Sequence, residues 1–566
     1  MKKVLYVPLD DRPCNLDDVV TQAKAAGIHV IIPDADDVKN RLDTEADSEG
    51  NTLVRTYAPV FGNTGHIRQF IRDHIRSADG FIISSDMLAY GGLIGSRRFR
   101  ADGGGAYPNY DPDTTGLLDV IREIKQTCPH KPVFVLDTIM RLATTVFVEG
   151  LTQSAYDEAR AFAQQPRVEA SEFEAILDGY DIKPDGTHFG TPVHFDKEQY
   201  YNARRHKFKT NYYILDQLVR TGAIDFLAVG VDDSYTQGVQ ANEIAFLEDY
   251  VDRHLNGSDG QNPDRVILLP DADGLGYSLM GRMASHLHQC GSKPRYGVRY
   301  FGPDGSTIIN PYEYMSVHDN IRYHVNLIGG RFVDSGPCDV EIVAVTGADR
   351  AAEAADHAAA NARKRQLTVV IDFVGGGAAD ETVTQALLDQ TSTGLLLGYS
   401  GWNTAGNKIG MALGMAHSRH AFLVTERRPH ALDTAVDAHG SLLFKRFLKD
   451  YCYKKLTIAE VRTYSRAHTL FANVPYADQN MLLFNSPEDY EAIVKLLRDR
   501  MQTNTEALSQ RKAFLPCASQ AIRQIKRPGG WICSTYNGAA LAYENPGFIW
   551  GRAFEITLRP SVTLQS

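Results

Sequence analysis

Six short apolar segments of this chain each run directly into acidic or aromatic polar residues. The segment Phe226–Val231 is typical, because it is apolar or glycine throughout and Asp232 and Asp233 follow it. Such a run indicates a strand buried on both faces, and helical patterns follow most of the six segments. The alternation of strand and helix predicts an α/β fold with parallel strands. The six segments are 3–13, 80–92, 132–141, 225–234, 265–274 and 394–403.

Parallel strands joined by helices form either a closed barrel or an open sheet, and both give the same periodicity. The pattern predicts about eight or nine parallel strands before residue 400. We therefore expect a (β/α)8-like barrel, with an open doubly wound sheet as the alternative. After residue 440 the sequence turns helical and amphipathic, and it ends in a short β-like tail at 554–564.

A chain of 566 residues is longer than one hydrophobic core usually supports. We expect an α/β catalytic domain at 1–435 and a mainly helical C-terminal region with a β tail at 436–566. Three stretches depart from the strand–helix pattern and are predicted as inserts. They lie near 101–116, 151–222 and 296–340.

Charge and cysteine content exclude several classes of protein. The formal net charge of −10 and the lack of a basic stripe argue against nucleic acid as a partner. The short basic clusters at Arg97-Arg98 and 204–207 suit only a small anionic group. No apolar run reaches the roughly 18 residues of a spanning helix, so no membrane partner is expected. Seven scattered cysteines without CxxC spacing predict reduced thiols in a cytoplasmic protein, and the sequence leaves a homo-oligomer open.

Acidic residues concentrate just after the predicted strands. Because the carboxyl ends of parallel strands lie on one side of a barrel or sheet, these residues are expected to meet at one rim. Crowded carboxylates are unfavourable unless they bind a cation or act on a substrate, so the pattern indicates an enzyme. The expected rim residues are Asp10, Asp11, Asp86, Asp137, Asp232, Asp233, Asp271 and Asp273.

The pair Asp232-Asp233 is the sharpest candidate for catalysis. Like charges held close together separate their pKa values, so one carboxyl keeps its proton while the other stays ionised. That division suits a general acid and a stabilising carboxylate. The alternative is a surface dipeptide that caps the next helix.

Ten further residues are predicted to bind substrate, because they follow strands and carry groups that bond hydroxyls, anions or sugar rings. Arg12 and Arg141 also suit structural ion pairs with neighbouring aspartates, and Trp402 also suits packing in the core. The ten are Asp10, Asp11, Arg12, Asp86, Tyr90, Arg141, Asp273, Tyr399, Trp402 and Asn403.

Six motifs in order resemble those of a bacterial family of unknown function, the domain-of-unknown-function family 4127. The likeness covers nearly the whole chain, but the family implies no reaction. The motifs are PLDDRPCN (8–15), SSDMLAYGGLIGSRR (84–98), DTIMR (137–141), VGVDDSYTQG (229–238), PDADGLG (270–276) and GYSGWNTAGNKIG (398–410).

The Asp-Asp pair is also similar to that of barrel glycosidases that use the substrate's acetamido group. On that analogy Asp232 orients the acetamido group, and Asp233 protonates the leaving oxygen and later deprotonates water. Tyr399 and Trp402 would wall the pocket. We therefore predict a cytoplasmic glycoside hydrolase directed at acetamido sugars (N-acetylhexosaminides), with a small carbohydrate substrate and no cofactor.

Two alternatives stay open. The first is a hydrolase or lyase that binds Mg²⁺ or Mn²⁺, since carboxylate oxygens suit these hard cations. The second is a non-catalytic sugar- or nucleotide-binding protein. The predicted ligands of the metal alternative are Asp10, Asp11, Asp232, Asp233 and Asp273.

Overall fold

The computed structural model describes residues 1–40, 44–46, 52–54, 60–100, 110–143, 145, 153–468, 487–526 and 530–565. Within these residues the chain forms two parallel sheets covered by helices, followed by a region of helices and antiparallel strands. Two of the predicted inserts lie partly outside the described residues, at 101–109 and at 151–152.

The first sheet has six parallel strands in the order β2-β1-β5-β6-β7-β8, and two short antiparallel strands lie between β2 and β5 in the chain. The strands of this half are β1 (Lys2–Val7), β2 (Ile28–Ile31), β3 (Thr44–Ala46), β4 (Thr52–Val54), β5 (Gly80–Ser84), β6 (Val133–Ile139), β7 (Phe226–Val231) and β8 (Val266–Leu269).

The second sheet has five parallel strands in the order β10-β9-β11-β12-β13. Its first strand lies between its second and third, as in the first sheet. The strands are β9 (Arg295–Phe301), β10 (Arg331–Phe332), β11 (Val340–Val345), β12 (Leu367–Asp372) and β13 (Gly398–Ser400).

Helices separate most of the strands. Those of the first half are α1 (Asp17–Ala25), α2 (Ala35–Val38), α3 (Thr64–His74), α4 (Ser85–Tyr90), α5 (Leu93–Ser96), α6 (Pro112–Leu118), α7 (Val120–Thr127), α8 (Gln153–Ala163), α9 (Phe173–Gly179), α10 (Lys197–Tyr213), α11 (Val239–His254) and α12 (Leu275–Leu287). Those of the second half are α13 (Val317–Leu327), α14 (Ala351–Lys364), α15 (Glu381–Leu388), α16 (Ala405–Thr425), α17 (Pro429–Phe447), α18 (Ile458–His468) and α19 (Pro487–Ser509). Wider π-helical turns continue α10 at Ile214–Val219 and join α17 to α18 at Leu448–Thr457.

Both sheets are buried on both faces, as the continuous apolar runs predict. In β1, Leu5 and Val7 belong to the core on the side of α3 and α7, while Val4 and Tyr6 belong to the core on the side of α1 and α12. The second sheet divides in the same way between two further cores. This is the layering of a doubly wound α/β fold, with helices on each face.

The chain ends in five antiparallel strands, more than the short tail that the sequence predicts. They are β14 (Gln520–Lys526), β15 (Gly530–Ala540), β16 (Gly547–Ile549), β17 (Arg552–Thr557) and β18 (Ser561–Gln565). Strands β14, β15 and β18 form one sheet, and β16 and β17 form a hairpin.

The predicted α/β class with parallel strands is confirmed, but the (β/α)8-like barrel is not. A barrel requires the edge strands β8 and β2 to be connected by further strands. Instead β9 pairs with β10 and β11, so that a second open sheet begins, and neither parallel sheet closes among the described strands. The strand order is that of the alternative, an open doubly wound sheet.

The predicted domain boundary after residue 435 lies inside α17, and the two-domain division stays a prediction. The predicted insert at 296–340 supplies β9, β10 and α13 around the second sheet. None of the helices in the described part of the chain combines the length and apolarity needed to cross a bilayer.

Helices α12 and α16 pack at close range and join the two halves, because α12 follows β8 and α16 follows β13. A Cβ atom at Gly414 would overlap the backbone of Tyr277, and one at Gly410 would lie 2.9 Å from the Cα of Gly274. Gln22 Nε2 donates to the carbonyl oxygens of Tyr277 (2.9 Å) and Gly414 (2.8 Å). The glycines are required here by the close approach of the two helices.

We expect Gly414→Ala to lower the free energy of unfolding by roughly 1–3 kcal/mol, because the added methyl group must push α12 and α16 apart. The matched control is Gly116→Ala in α6, where an added Cβ meets no atom within 4 Å. That change is expected to raise stability by about 0.5–1 kcal/mol. Thermal unfolding followed by far-UV circular dichroism measures both. Equal shifts for the two variants would contradict the role given to Gly414.

Candidate functional site

A cleft of about 900 Å³ opens where the carboxyl ends of the two parallel sheets meet. Loops after β1, β5, β6, β7 and β8 of the first sheet contribute to its wall, as do the loops after β9, β12 and β13 of the second. The turn between β16 and β17 completes it. Open α/β sheets bind ligands beyond the carboxyl ends of their strands, at the point where the strand order reverses. In the first sheet that point lies between β1 and β5.

The structure gathers most of the acids that were expected at one rim. Four of them line the cleft, two lie directly behind its wall, and two lie elsewhere beside the first sheet. In that order they are Asp232, Asp233, Asp271 and Asp273, then Asp10 and Asp11, then Asp86 and Asp137.

Asp232 and Asp233 leave β7 together but lie in different environments. Asp232 is buried against the guanidinium of Arg97, whereas Asp233 is partly exposed and accepts a bond of 3.1 Å from Arg141 Nη1. Burial raises the pKa of Asp232 to about 6, although Arg97 opposes that rise. Both carboxyls of the pair therefore contact an arginine, and the buried one, Asp232, holds its proton in mildly acidic solution.

Arg12 binds two of the predicted residues. Its Nη2 donates to Asp10 Oδ2 at 2.7 Å and to Asp273 Oδ1 at 2.5 Å. Asn15 Nδ2 donates to Asp10 Oδ1 (2.9 Å) and Asp273 Oδ1 (3.1 Å). Burial alone would lower the pKa of Arg12, but the two carboxylates raise it well above its usual value. Arg12 thus forms structural ion pairs with Asp10 and Asp273 and so links the loops after β1 and β8.

Asp11 is held by the C-terminal hairpin. Trp550 Nε1 donates to Asp11 Oδ1 at 2.8 Å, across 539 residues of sequence. Burial, followed by the charge of Asp10, raises the pKa of Asp11 to about 7. The indole ring of Trp550 lines the cleft while its N–H is fixed from behind.

Backbone strain collects around this cleft. Nine described residues other than glycine have φ in the left-handed region, and four of them line the cleft: Asp233 (φ 35°), Tyr312 (70°), Asn403 (71°) and Trp550 (59°). Such conformations cost roughly 1–3 kcal/mol each for side chains of this kind and persist where surrounding contacts hold them, often at functional sites. The clustering marks the cleft as the candidate functional site.

Asp86 and Tyr90, both predicted to bind substrate, lie in a buried network away from the cleft. Ser84 caps α4, so Asp86 falls in the first helical turn and points to the interior. Lys207 Nζ donates to Asp86 at 2.9 Å and to Asp137 at 2.7 Å. Tyr90 Oη lies 2.6 Å from Thr210 Oγ1. All of these side chains are buried, and the two carboxyls share Lys207 as their cation.

Tyr399 and Trp402, expected to wall the pocket, instead pack in the interior and do not line the cleft. The ring of Tyr399 stacks on Phe447 with centroids 4.1 Å apart, and Lys449 Nζ lies 4.0 Å from the centroid of Trp402. Large aromatic rings after a buried strand gain more by burial than by exposure. Asn403 does line the cleft, with its Nδ2 3.4 Å from Asp273 Oδ2.

Sequence reasoning missed Glu313 and Lys408. Glu313 is buried in the cleft wall, where its carboxylate accepts bonds from the Gly406 N–H (2.8 Å) and Asn320 Nδ2 (3.2 Å). Burial raises its pKa well above the usual value. Lys408 Nζ donates to the carbonyl oxygen of Asp372 at 2.8 Å. Neither residue directly follows one of the six apolar segments. A search for charged residues just after predicted strands therefore does not find them.

The second group missed comes from the C-terminal hairpin, namely Trp550, Arg552 and Glu555. Only the Trp-Gly-Arg run at 550–552 hints at a turn, and no periodicity connects it with residues near position 11. Arg97 appeared in the sequence as part of a basic dipeptide suited to a small anion, without any sign that it meets Asp232.

The carboxylates predicted for Mg²⁺ or Mn²⁺ are mostly bonded to guanidinium groups. A divalent cation would have to displace these arginines and would be repelled by them, so the donor set does not fit such an ion. Among the residues that the structure describes, no three His, Cys, Asp or Glu side chains are arranged to hold a metal. The bonded pairs are Asp10 and Asp273 with Arg12, Asp232 with Arg97, and Asp233 with Arg141.

Two open parallel sheets that share one polar cleft define a doubly wound α/β protein with its candidate site at the sheets' carboxyl ends. The chain belongs to the DUF4127 family. The family model described as "Protein of unknown function (DUF4127)" matches residues 4–559, which confirms the resemblance drawn from the six motifs. Comparison with curated proteins and with solved structures gives no match.

We expect Lys207→Met to lower the free energy of unfolding by about 3–5 kcal/mol, because it leaves the buried carboxylates of Asp86 and Asp137 without their cation. Denaturant unfolding followed by fluorescence measures the loss. Lys24→Met, at an exposed lysine of α1, is the matched control and should change stability by no more than about 0.5 kcal/mol. Comparable losses in the two variants would show that Lys207 has no such role.

Proposed function

We propose that this protein is a glycoside hydrolase in which Asp232 is the proton donor and Asp233 is the stabilising carboxylate. The observation that carries the proposal is the position of Asp232: it lines the cleft, beside Asp233, with its pKa raised to about 6. A buried carboxyl with a raised pKa beside a second, more exposed carboxyl suits acid-assisted glycoside cleavage.

Asp232 donates its proton to the glycosidic oxygen as the bond between that oxygen and the anomeric carbon breaks. The electron pair of that bond leaves with the oxygen, and positive charge develops on the sugar ring. Asp233, which is paired with Arg141, stabilises that charge. Arg97 stabilises the carboxylate that Asp232 becomes, and this carboxylate then takes a proton from the attacking water.

These roles reverse those implied by the substrate-assisted glycosidases, where the second aspartate is the acid. Burial of Asp232 supports the reversal, because the buried carboxyl is the one that holds a proton. Tyr399 and Trp402 lie in the core, whereas Trp550 lines the cleft and offers an aromatic ring to a sugar there. Activity on acetamido sugars stays part of the proposal and is to be tested.

Asp232 must be protonated to act, so kcat/KM for a phenyl glycoside is expected to stay level below a pH of about 6 and fall above it. The sign follows from the raised pKa: the proton is present below that value and lost as the pH rises through it. The measurement is a pH–rate profile over a panel of phenyl glycosides that includes an N-acetylglucosaminide, a glucoside and a glucuronide. A rate that increases with pH through this range contradicts the assignment.

Asp232→Asn is expected to lower kcat on phenyl glycosides by about 10²- to 10⁴-fold. It should affect the dinitrophenyl glycoside of the same sugar much less, because that leaving group departs without a proton. A merely structural role would lower both rates equally. Asp249→Asn, at a side chain of α11 that is 48% exposed, is the control and should leave both rates unchanged. Absence of turnover with every glycoside rejects the hydrolase and leaves a binding protein.

A further inference from the structure

Five arginine side chains line the cleft of the Asp232-Asp233 pair, and four of them lie close enough for their charges to interact. These four reach it from four separate parts of the chain: the loops after β1, β5 and β6, and the C-terminal hairpin. No single motif supplies them, and only the fold brings them together. They form the arginine cluster, which consists of Arg12, Arg97, Arg141 and Arg552.

Mutual repulsion within the arginine cluster is not fully cancelled by the carboxylates nearby. Burial, followed by the charges of the other three arginines, lowers the pKa of Arg552 to about 9. Burial and the charge of Arg141 lower the pKa of Arg97, although Arg97 is bonded to Asp232. The Nε of Arg97 is also buried without a hydrogen-bond partner among the described residues. A bound anion would relieve both the repulsion and the unmet donor.

Trp550 places a flat apolar surface within this cluster. The guanidinium carbon of Arg12 lies 5.1 Å from the centroid of the indole ring, and that of Arg552 lies 5.9 Å from it. Because the indole N–H is bonded to Asp11, the ring is fixed in orientation. A ring bordered by guanidinium groups suits a ligand with an apolar ring face and an anionic substituent.

We propose that the ligand of this cleft is a sugar that carries a carboxylate or a phosphate, with the anionic group bound by Arg97, Arg141 and Arg552 and the sugar ring against Trp550. Arg552 is the residue chosen to test this specificity, because its substitution leaves the ion pairs of Arg97 with Asp232 and of Arg141 with Asp233 in place. The sugar rests on the proposed function, whereas recognition of the anion does not depend on hydrolysis.

The test is a fluorescence titration of the full chain with glucuronic acid, a hexose phosphate and glucose. We expect at least one of the two anionic sugars to bind about tenfold or more tightly than glucose, and Arg552→Gln to weaken that binding by about 10- to 100-fold while leaving glucose unchanged. Arg350→Gln, at an arginine whose side chain is 48% exposed and lies outside the cleft, is the control and should change neither. The two anionic arms distinguish carboxylate from phosphate.

Equal affinity for glucose and both anionic sugars, or an unchanged preference in Arg552→Gln, overturns the proposal. Should that variant fail to fold, the wild type decides: between about 0.05 and 0.5 M salt, binding of the anionic sugar should weaken and binding of glucose should not. Binding of an anionic sugar without hydrolysis of any glycoside keeps the anion site and rejects the hydrolase. Hydrolysis of neutral glycosides without binding of an anionic sugar keeps the hydrolase and rejects the anion site.

Discussion

The buried guanidinium of Arg12 is the interaction on which the shape of the cleft depends. It holds Asp10 and Asp273, which follow β1 and β8, and three strands of the first sheet separate these two. The loops must therefore lean over the carboxyl edge of the sheet to share one cation. Removing one member of such a buried group costs about 3–5 kcal/mol, because the charges that remain cannot be hydrated. This requirement fixes both loops, and the ring of Trp550 packs beside the same guanidinium.

Burial decides which acids around the cleft hold a proton, and the arginines beside them only moderate its effect. Asp10 and Asp232 each contact an arginine, Arg12 and Arg97, yet burial outweighs both ion pairs and raises the pKa of each carboxyl. Glu313 accepts bonds from a backbone N–H and an amide, and burial raises its pKa well above the usual value. The proton affinity of these carboxyls therefore follows burial first and the neighbouring charges second.

The sequence predicts the strands of the six apolar segments and the acids that follow them, because buried parallel strands have a clear apolar pattern. It does not predict how the strands divide into sheets, because β9 lies in a stretch that departs from the strand–helix pattern, and nothing local shows that a second sheet begins there. Local pattern also fails to separate Trp402 from Asn403: the two are adjacent, yet one is in the core and the other is in the cleft. Trp550 is out of reach for a different reason, because its partner Asp11 lies 539 residues away in the sequence.

The two sheets contribute unequally to the cleft although their first five strands have the same order. The first sheet contributes the loops after five of its six strands, including β1 and β5 on either side of its switch point, whereas the second contributes the loops after β9, β12 and β13. The remaining wall comes from the hairpin of β16 and β17. The residues at its turn adopt left-handed backbone angles, at Trp550 and Gly551, and so direct the indole and Arg552 inward. The cleft is consequently complete only when the last strands have packed against the loop after the first, so its chemistry belongs to the whole chain and not to the N-terminal sheet alone.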